Sequence, residues 1–184
     1  MSKKLLIIGA GGIGSNLIPI LSRIGLYDIT VYDPDIIEEK NITYQNFKFG
    51  EIGMKKANVM AKYAKVKGEP FAVLTKGQLK GYDLVVCCVD NLAARRLLYE
   101  YDKPWLDLRA EGRNCVLITY DTPVEMYDEL LSGPDGNFSC QGEDWNGKAK
   151  GINCMHYVVA GLGAQWIQRW FSKDHVDNNW VMNF

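Results

Sequence analysis

The sequence predicts an α/β domain, a mostly parallel sheet flanked by helices, with additional antiparallel strands in its C-terminal part. Three observations carry this. Apolar runs of strand length alternate with segments of helical period through the first two thirds of the chain. The run Leu84–Val89 is apolar throughout, as a strand covered on both faces must be. The run Leu5–Ile8 ends directly in glycines and leads into an amphipathic segment, a strand–turn–helix order.

Taken in order, Leu5–Ile8 reads as the first buried strand. Ile13, Leu17, Ile20, Leu21 and Ile24 recur at helical spacing and give a face that lies on the sheet. Pro19 falls inside that helix, where it lacks an amide donor and is expected to kink or delay it. Ile29–Tyr32 is the second strand. Met54, Ala57, Ala61 and Ala64 mark a further helix that closes near Gly68. Phe71–Leu74 reads as a third strand and Leu84–Val89 as a fourth, central one, followed by a helix through Ala94, Leu97, Leu98 and Tyr101. Pro104–Leu108 is a fifth strand and Asn114–Tyr120 another. The stretch from Asp121 to Lys150 is acidic, glycine-rich and without period, so it reads as a long loop. Met155, Val158, Val159, Leu162 and Trp166 restore a helical stripe running to about Phe171. The segment after it carries Trp180 and Phe184 and is left without an assigned element.

The bulk numbers narrow the function. With 184 residues and 47% hydrophobic content the chain can bury one core of ordinary size, so it reads as a single soluble domain. A net charge of −1 supplies no field to gather nucleic acid or an anionic membrane, and neither is expected as a partner. Only four consecutive large apolar residues follow the N-terminal lysines, too few for a signal core or a membrane span, so a cytoplasmic location is expected. The five cysteines, Cys87, Cys88, Cys115, Cys140 and Cys154, are odd in number, which suits reduced thiols better than a disulfide framework.

Gly9, Gly11 and Gly14 satisfy the spacing G-x-G-x-x-G between a strand and a helix, where backbone amides and a helix N-terminus can meet a phosphate. Asp33 follows nineteen residues after Gly14, at the end of the second strand, where a carboxylate can accept bonds from ribose hydroxyls. The pattern indicates a nucleotide on a Rossmann-like sheet without saying which one. A nicotinamide-dependent oxidoreductase uses the same loop, although neither His156 nor His175 stands where a catalytic acid or base would be expected.

Three further stretches, "GAGGIGS", "DPDIIEEKNITYQNFKFGEIGMKKA" and "DNLAARR", resemble in order and content the adenylyltransferases of the ThiF/MoeB/HesA and ubiquitin-activating-enzyme superfamily. The resemblance spans roughly residues 4–110, so residues 1–110 are expected to form the nucleotide-binding core and 111–184 a C-terminal strand, long loop and helix. It implies that Gly9, Gly11, Gly12 and Gly14 form the phosphate loop, that Gly11 and Gly12 lie against the phosphates, and that Asp33 binds the ribose. Asp35, Asn41, Gln45 and Asn91 are implied in nucleotide binding, Lys56 in neutralising the triphosphate, and Asp90 in holding Mg²⁺, with Arg95 completing its motif. The implied reaction is ATP-dependent adenylation of the C-terminal carboxylate of a small ubiquitin-like or sulfur-carrier protein ending in glycine. Attack by one anion on another is served mostly by positioning and charge neutralisation, which a lysine and a carboxylate-held Mg²⁺ supply. Such cores are typically homodimers, and Trp166, Trp170, Phe171 and Trp180 are aromatic enough to suggest an assembly surface, although packing within one subunit is the simpler account of at least half of these rings.

The chain also departs from the family pattern. Tyr44 stands where the family has a phosphate-contacting arginine, and tyrosine cannot supply that fork of charged donors. Lys40, replacing a serine, is a cation that partly restores the charge, and Arg109 and Arg113 are further candidates that surface ion pairs would explain equally well. The Tyr44 replacement also admits a non-catalytic, nucleotide-binding subunit. Cys140 is a weaker candidate acceptor for an activated acyl group, because its acidic surroundings disfavour the thiolate. Cys140, Cys154 and His156 are too few for a tetrahedral zinc site.

Overall fold

The computed structural model describes residues 2–126 and 153–183. Strand β1 (Lys3–Ile8) leads through the glycine turn into α1 (Gly14–Ile24), and β2 (Tyr27–Tyr32) lies parallel beside β1. A long crossover with single 3-10 turns at Glu39–Asn41 and Phe49–Glu51 precedes α2 (Lys56–Met60) and β3 (Val66–Glu69). The chain then recrosses the sheet to β4 (Leu84–Cys87), α3 (Leu92–Tyr99) and β5 (Trp105–Glu111), and continues to β6 (Asn114–Thr119), α4 (Met155–Phe171) and β7 (Asn179–Asn183). Among the described residues the order is β3-β2-β1-β4-β5-β6-β7, parallel as far as β5 and antiparallel at β6 and β7.

Two apolar layers explain the unbroken hydrophobic runs. Leu5, Ile7, Leu84 and Val86 pack against α1 and α4 on one face, while Leu6, Ile8, Val85 and Cys87 pack with Leu79, Leu98 and Trp105 on the other. Period two therefore buries every residue of β1 from Leu5 and of β4, as parallel sheets covered on both sides require.

Pro19 lies within α1, which runs on to Ile24. Its missing amide would have bonded the Ser15 carbonyl. That oxygen instead accepts from Asn46 Nδ2 at 3.3 Å, and Ser15 Oγ accepts from the Asn46 amide at 2.9 Å. The helix thus absorbs the proline by lending one carbonyl to the crossover, rather than by being delayed.

Three sequence expectations are corrected. The third strand is Val66–Glu69, and residues 71–74 are an irregular cover in which Val73 is buried while Phe71 and Leu74 face solvent. The Gln78 side chain satisfies the backbone there, accepting from Leu74 N at 2.8 Å and donating to Ala72 O at 3.1 Å. The helix expected from Met54 to near Gly68 is only Lys56–Met60; turns follow it, and Lys65, in a left-handed conformation (φ 59°), feeds β3, its carbonyl accepting from Ile29 N. The aromatic rings near the C-terminus have neighbours within the chain, Trp166 and Trp170 stacking at 5.9 Å and Phe171 meeting Tyr27 at 5.7 Å, while Trp180 lies in the β6–β7 ladder opposite Leu117; Trp166 is buried and Trp170, Phe171 and Trp180 are half-buried. β5 also runs to Glu111, three residues past the expected end, before the Gly112-Arg113 hairpin. Most of the long loop from 121 to 150, with Cys140, lies outside the described residues. Among the described residues Cys87, Cys88, Cys115 and Cys154 form no disulfide, and burial pushes the Cys87 thiol up to about 12. No described helix is long and apolar enough to cross a membrane.

Candidate functional site

The chain winds outward from β1 to β2 and β3, then crosses back to β4 on the other side of β1. Where winding reverses in an open α/β sheet, a crevice opens beyond the carboxyl ends of the strands. A cavity of about 340 Å³ lies there, lined by residues that follow β1, β2 and β4 together with the crossover.

Its floor is the glycine turn. The Gly9 amide bonds Tyr32 O and the Cys88 amide bonds Ile8 O, each at 2.8 Å, so the ends of β2, β1 and β4 are clamped together. Gly9 has φ 94°, and a Cβ on it would lie 2.6 Å from Val89 Cγ1. Gly11 and Gly12 line the cavity, and α1 begins beside them with no side chain capping its N-terminus. Uncapped amides and the positive end of the helix dipole suit an anion. Gly14 is not on the cavity. A Cβ there would lie 1.9 Å from Gly9 O, so this glycine serves helix-to-strand packing. Gly14→Ala is expected to lower stability by about 2–3 kcal/mol through overpacking, read as a drop in the urea midpoint at constant m.

The crossover forms the wall. Asp33 is buried, accepting from Ala10 N at 2.6 Å through Oδ2 and from Asp35 N at 2.8 Å through Oδ1, which leaves further lone pairs for a ligand. Burial raises its pKa against the opposing pull of Lys56 and the two amides. Lys56, also buried, places Nζ 3.1 Å from Asp35 Oδ2. Asn41 accepts the Glu38 amide at 2.8 Å and is buried on the same wall. Gln45 is buried there too, and its Oε1 has no hydrogen-bond partner among the described residues, a rare condition for an enclosed polar atom. Tyr44 lines the cavity, with His156 edge-on at 5.8 Å.

Beyond β4, Asp90 reaches the cavity half-buried and forms no ion pair among the described residues; burial raises its pKa, partly offset by the charge of Arg95. Asn91, expected at the nucleotide, is instead the N-cap of α3, accepting from Ala93 N at 2.8 Å and Ala94 N at 3.2 Å. Arg95 lines the cavity and pairs with the fully buried Asp107, Nε to Oδ2 3.3 Å. Arg109 pairs with the same carboxylate at 2.9 Å and donates to Tyr99 Oη at 2.7 Å, away from the cavity lining. Arg113 sits exposed at the β5–β6 hairpin tip, also away from it.

The structure therefore brings Gly9, Gly11, Gly12, Asp33, Asp35, Asn41, Gln45, Lys56 and Asp90 onto one cavity and leaves Gly14, Asn91, Arg109 and Arg113 off it. Cys140 lies outside the described residues. Among those described, no group of three or more His, Cys, Asp or Glu side chains could hold a metal on its own. Sequence reasoning missed the contributions of Ile13, Cys88, Val89 and Ala110, whose apolar side chains carry no chemical signal. It also missed Asp107, although an aspartate inside "WLDL" must be paired if that run is a buried strand.

The adenylyltransferase and sulfurtransferase UBA4 of Yarrowia lipolytica is 32% identical over 107 residues, covering 53% of this chain and 27% of that protein. The ATP-dependent ubiquitin transferase-like protein Cap2 of Enterobacter hormaechei is 26% identical over 187 residues, covering 92% of this chain and 31% of that protein. A crystal structure of E. coli MccB with MccA superposes with a TM-score of 0.75 at 18% identity, over 99% of this chain and 60% of that one, and shares its fold. The chain thus spans less than a third of the length of these two curated relatives. A phosphate-ready loop, a carboxylate after β2, and a lysine and aspartate converging from opposite sides of one crevice agree with the profile of the ThiF family, which matches residues 1–183, and the chain belongs to that family.

Proposed function

We propose that this domain binds ATP in the switch-point cavity and adenylates the C-terminal carboxylate of a small ubiquitin-like or sulfur-carrier protein. The observation that carries the reading is the convergence of Lys56 and Asp90, thirty-four residues apart in sequence, on a cavity whose floor is an uncapped helix N-terminus. Gly11 and Gly12 offer backbone to the phosphates. Asp33, fixed by two amides, receives the ribose hydroxyls, and Asn41 and Gln45 bind along the wall, the free Gln45 Oε1 taking a donor from the ligand.

Asp90 fits a Mg²⁺ ion, being a half-buried carboxylate without an ion-pair partner among the described residues, and Mg²⁺ is commonly held by one or two carboxylates together with substrate phosphates. When bound, the ion supplies neutralisation of phosphate charge. Lys56 adds a fixed ammonium from inside the wall. The carrier's carboxylate oxygen attacks the α-phosphorus, the bond to the bridging oxygen of pyrophosphate breaks, and acyl adenylate and pyrophosphate result. The chain has only to orient the two anions and lower their repulsion. Similarity to UBA4 and Cap2 supports the partner class.

The test is ATP–pyrophosphate exchange with the purified chain, Mg²⁺ and candidate carriers with glycine tails. Carrier-dependent exchange is expected, and its absence with every carrier would count against the reading. A thermal-shift comparison separates the oxidoreductase alternative, since ATP–Mg²⁺ and not NAD should raise the melting temperature.

A further inference from the structure

Among the described residues, the cavity carries three cationic side chains in different states. Lys56 is buried and bridged to Asp35, and Arg95 is buried and bridged to Asp107. Lys40 is not buried. Its side chain is 61% exposed and its one ion-pair partner is Glu38, itself half exposed, at 2.5 Å. It belongs to the turn Glu39–Asn41, next to the buried Asn41 and four residues before Tyr44, all on the same cavity.

The charges on the cavity wall bear on this lysine. Asp33, Asp35 and Asp90 face Lys56 and Arg95, and Arg95 already shares its charge with Asp107. Tyr44 adds no positive charge to this wall. Apart from a Mg²⁺ ion at Asp90, a polyphosphate entering the cavity meets more fixed negative than positive charge on its walls, and Lys40 is the cavity cation whose ion pair is exposed rather than buried. An exposed ion pair is held weakly enough to be exchanged, and an ammonium on a flexible stem suits a phosphate as a mobile point charge.

Resting on the nucleotide reading above, we infer that Lys40 contacts the outer phosphates of the bound nucleotide, leaving Glu38 to do so. The outer phosphates are the ones assigned because the glycine turn and Lys56 occupy the interior and Lys40 the rim. Glu38 is then a competitor for the lysine, and removing either partner of the pair has opposite consequences.

The experiment is equilibrium titration of the full chain with ATP, ADP and AMP in the presence of Mg²⁺. Lys40→Met should weaken ATP about tenfold and AMP less than about twofold, and Lys40→Arg should retain most of the ATP affinity. Glu38→Gln, which keeps an oxygen acceptor on the turn, should tighten ATP about two- to threefold. If the pair merely braces the turn, both Lys40→Met and Glu38→Gln weaken every nucleotide alike, and that result overturns the inference. ATP affinity unchanged in Lys40→Met overturns it while leaving the nucleotide reading intact. A wild-type chain that binds no ATP overturns both.

Discussion

Lys56→Met should lower the rate of pyrophosphate exchange by about a hundredfold or more at saturating ATP, with the fold preserved. The ammonium is buried in the cavity wall, where a charge acts through less screening than at the surface. Its partner Asp35 is 63% exposed, so removing the cation leaves that carboxylate in contact with water rather than stranded. Methionine keeps an unbranched apolar stem through the wall, and the Lys56 amide still bonds Asp35 O at 3.0 Å. Stability should therefore change little while catalysis collapses. Lys56 also lowers the pKa of Asp33, so in the variant that carboxylate should titrate higher still, measurable by NMR. Exchange at the wild-type rate in a folded variant would remove Lys56 from the mechanism.

Asp107→Ala should cost about 3–5 kcal/mol of stability, read from urea unfolding, because it strands two guanidinium groups around a buried gap. Asp107 is fully buried and takes Arg95, Arg109 at 2.9 Å and the Tyr99 hydroxyl at 2.6 Å. Burial by itself would raise its pKa, but the charges of Arg95 and Arg109 and the bonds from Tyr99 and Arg109 outweigh it and hold the carboxyl below the ordinary range. For a carboxylate depressed in the folded state, the stabilisation is complete above the unfolded value of about 4 and is lost as pH falls through the lower folded value. The wild-type chain should thus lose this contribution in acid, and Asp107→Ala should show a flatter stability profile below about pH 4. An unchanged profile would mean the cluster contributes nothing through its charge. Because Arg95 borders the cavity, the variant should also bind nucleotide less well than its residual fold would suggest.

How far the sequence reveals this molecule depends on burial. β1 and β4 are enclosed on both faces, so Leu5–Ile8 and Leu84–Val86 announce themselves as uninterrupted apolar runs. Among the described residues β3 is an edge strand paired with β2, and "VKGE" carries a single apolar side chain, which let the more hydrophobic residues 71–74 stand in for it. β7 gains its identity from the ladder with β6, a contact distant in the chain. At the site, residues chosen for chemistry were legible because glycine, aspartate and lysine are informative in a fixed order. Asn91 is ambiguous in the sequence because capping of α3, which the structure shows, and a role at a ligand make the same demand for a short polar side chain. Arg109 stays ambiguous for a related reason: a guanidinium beside an active crevice and one locked on a buried acid are identical letters, and the structure pairs it with Asp107.

The proline inside the first helix has a mechanical consequence. By withholding one donor it hands an acceptor to Asn46, directly after Gln45, and so tethers the segment carrying Asn41 and Gln45 to the helix that starts at the glycine turn. The two cannot part without breaking that tether. Floor and wall of the crevice are thereby laced together at their base by the two bonds from Asn46 to Ser15.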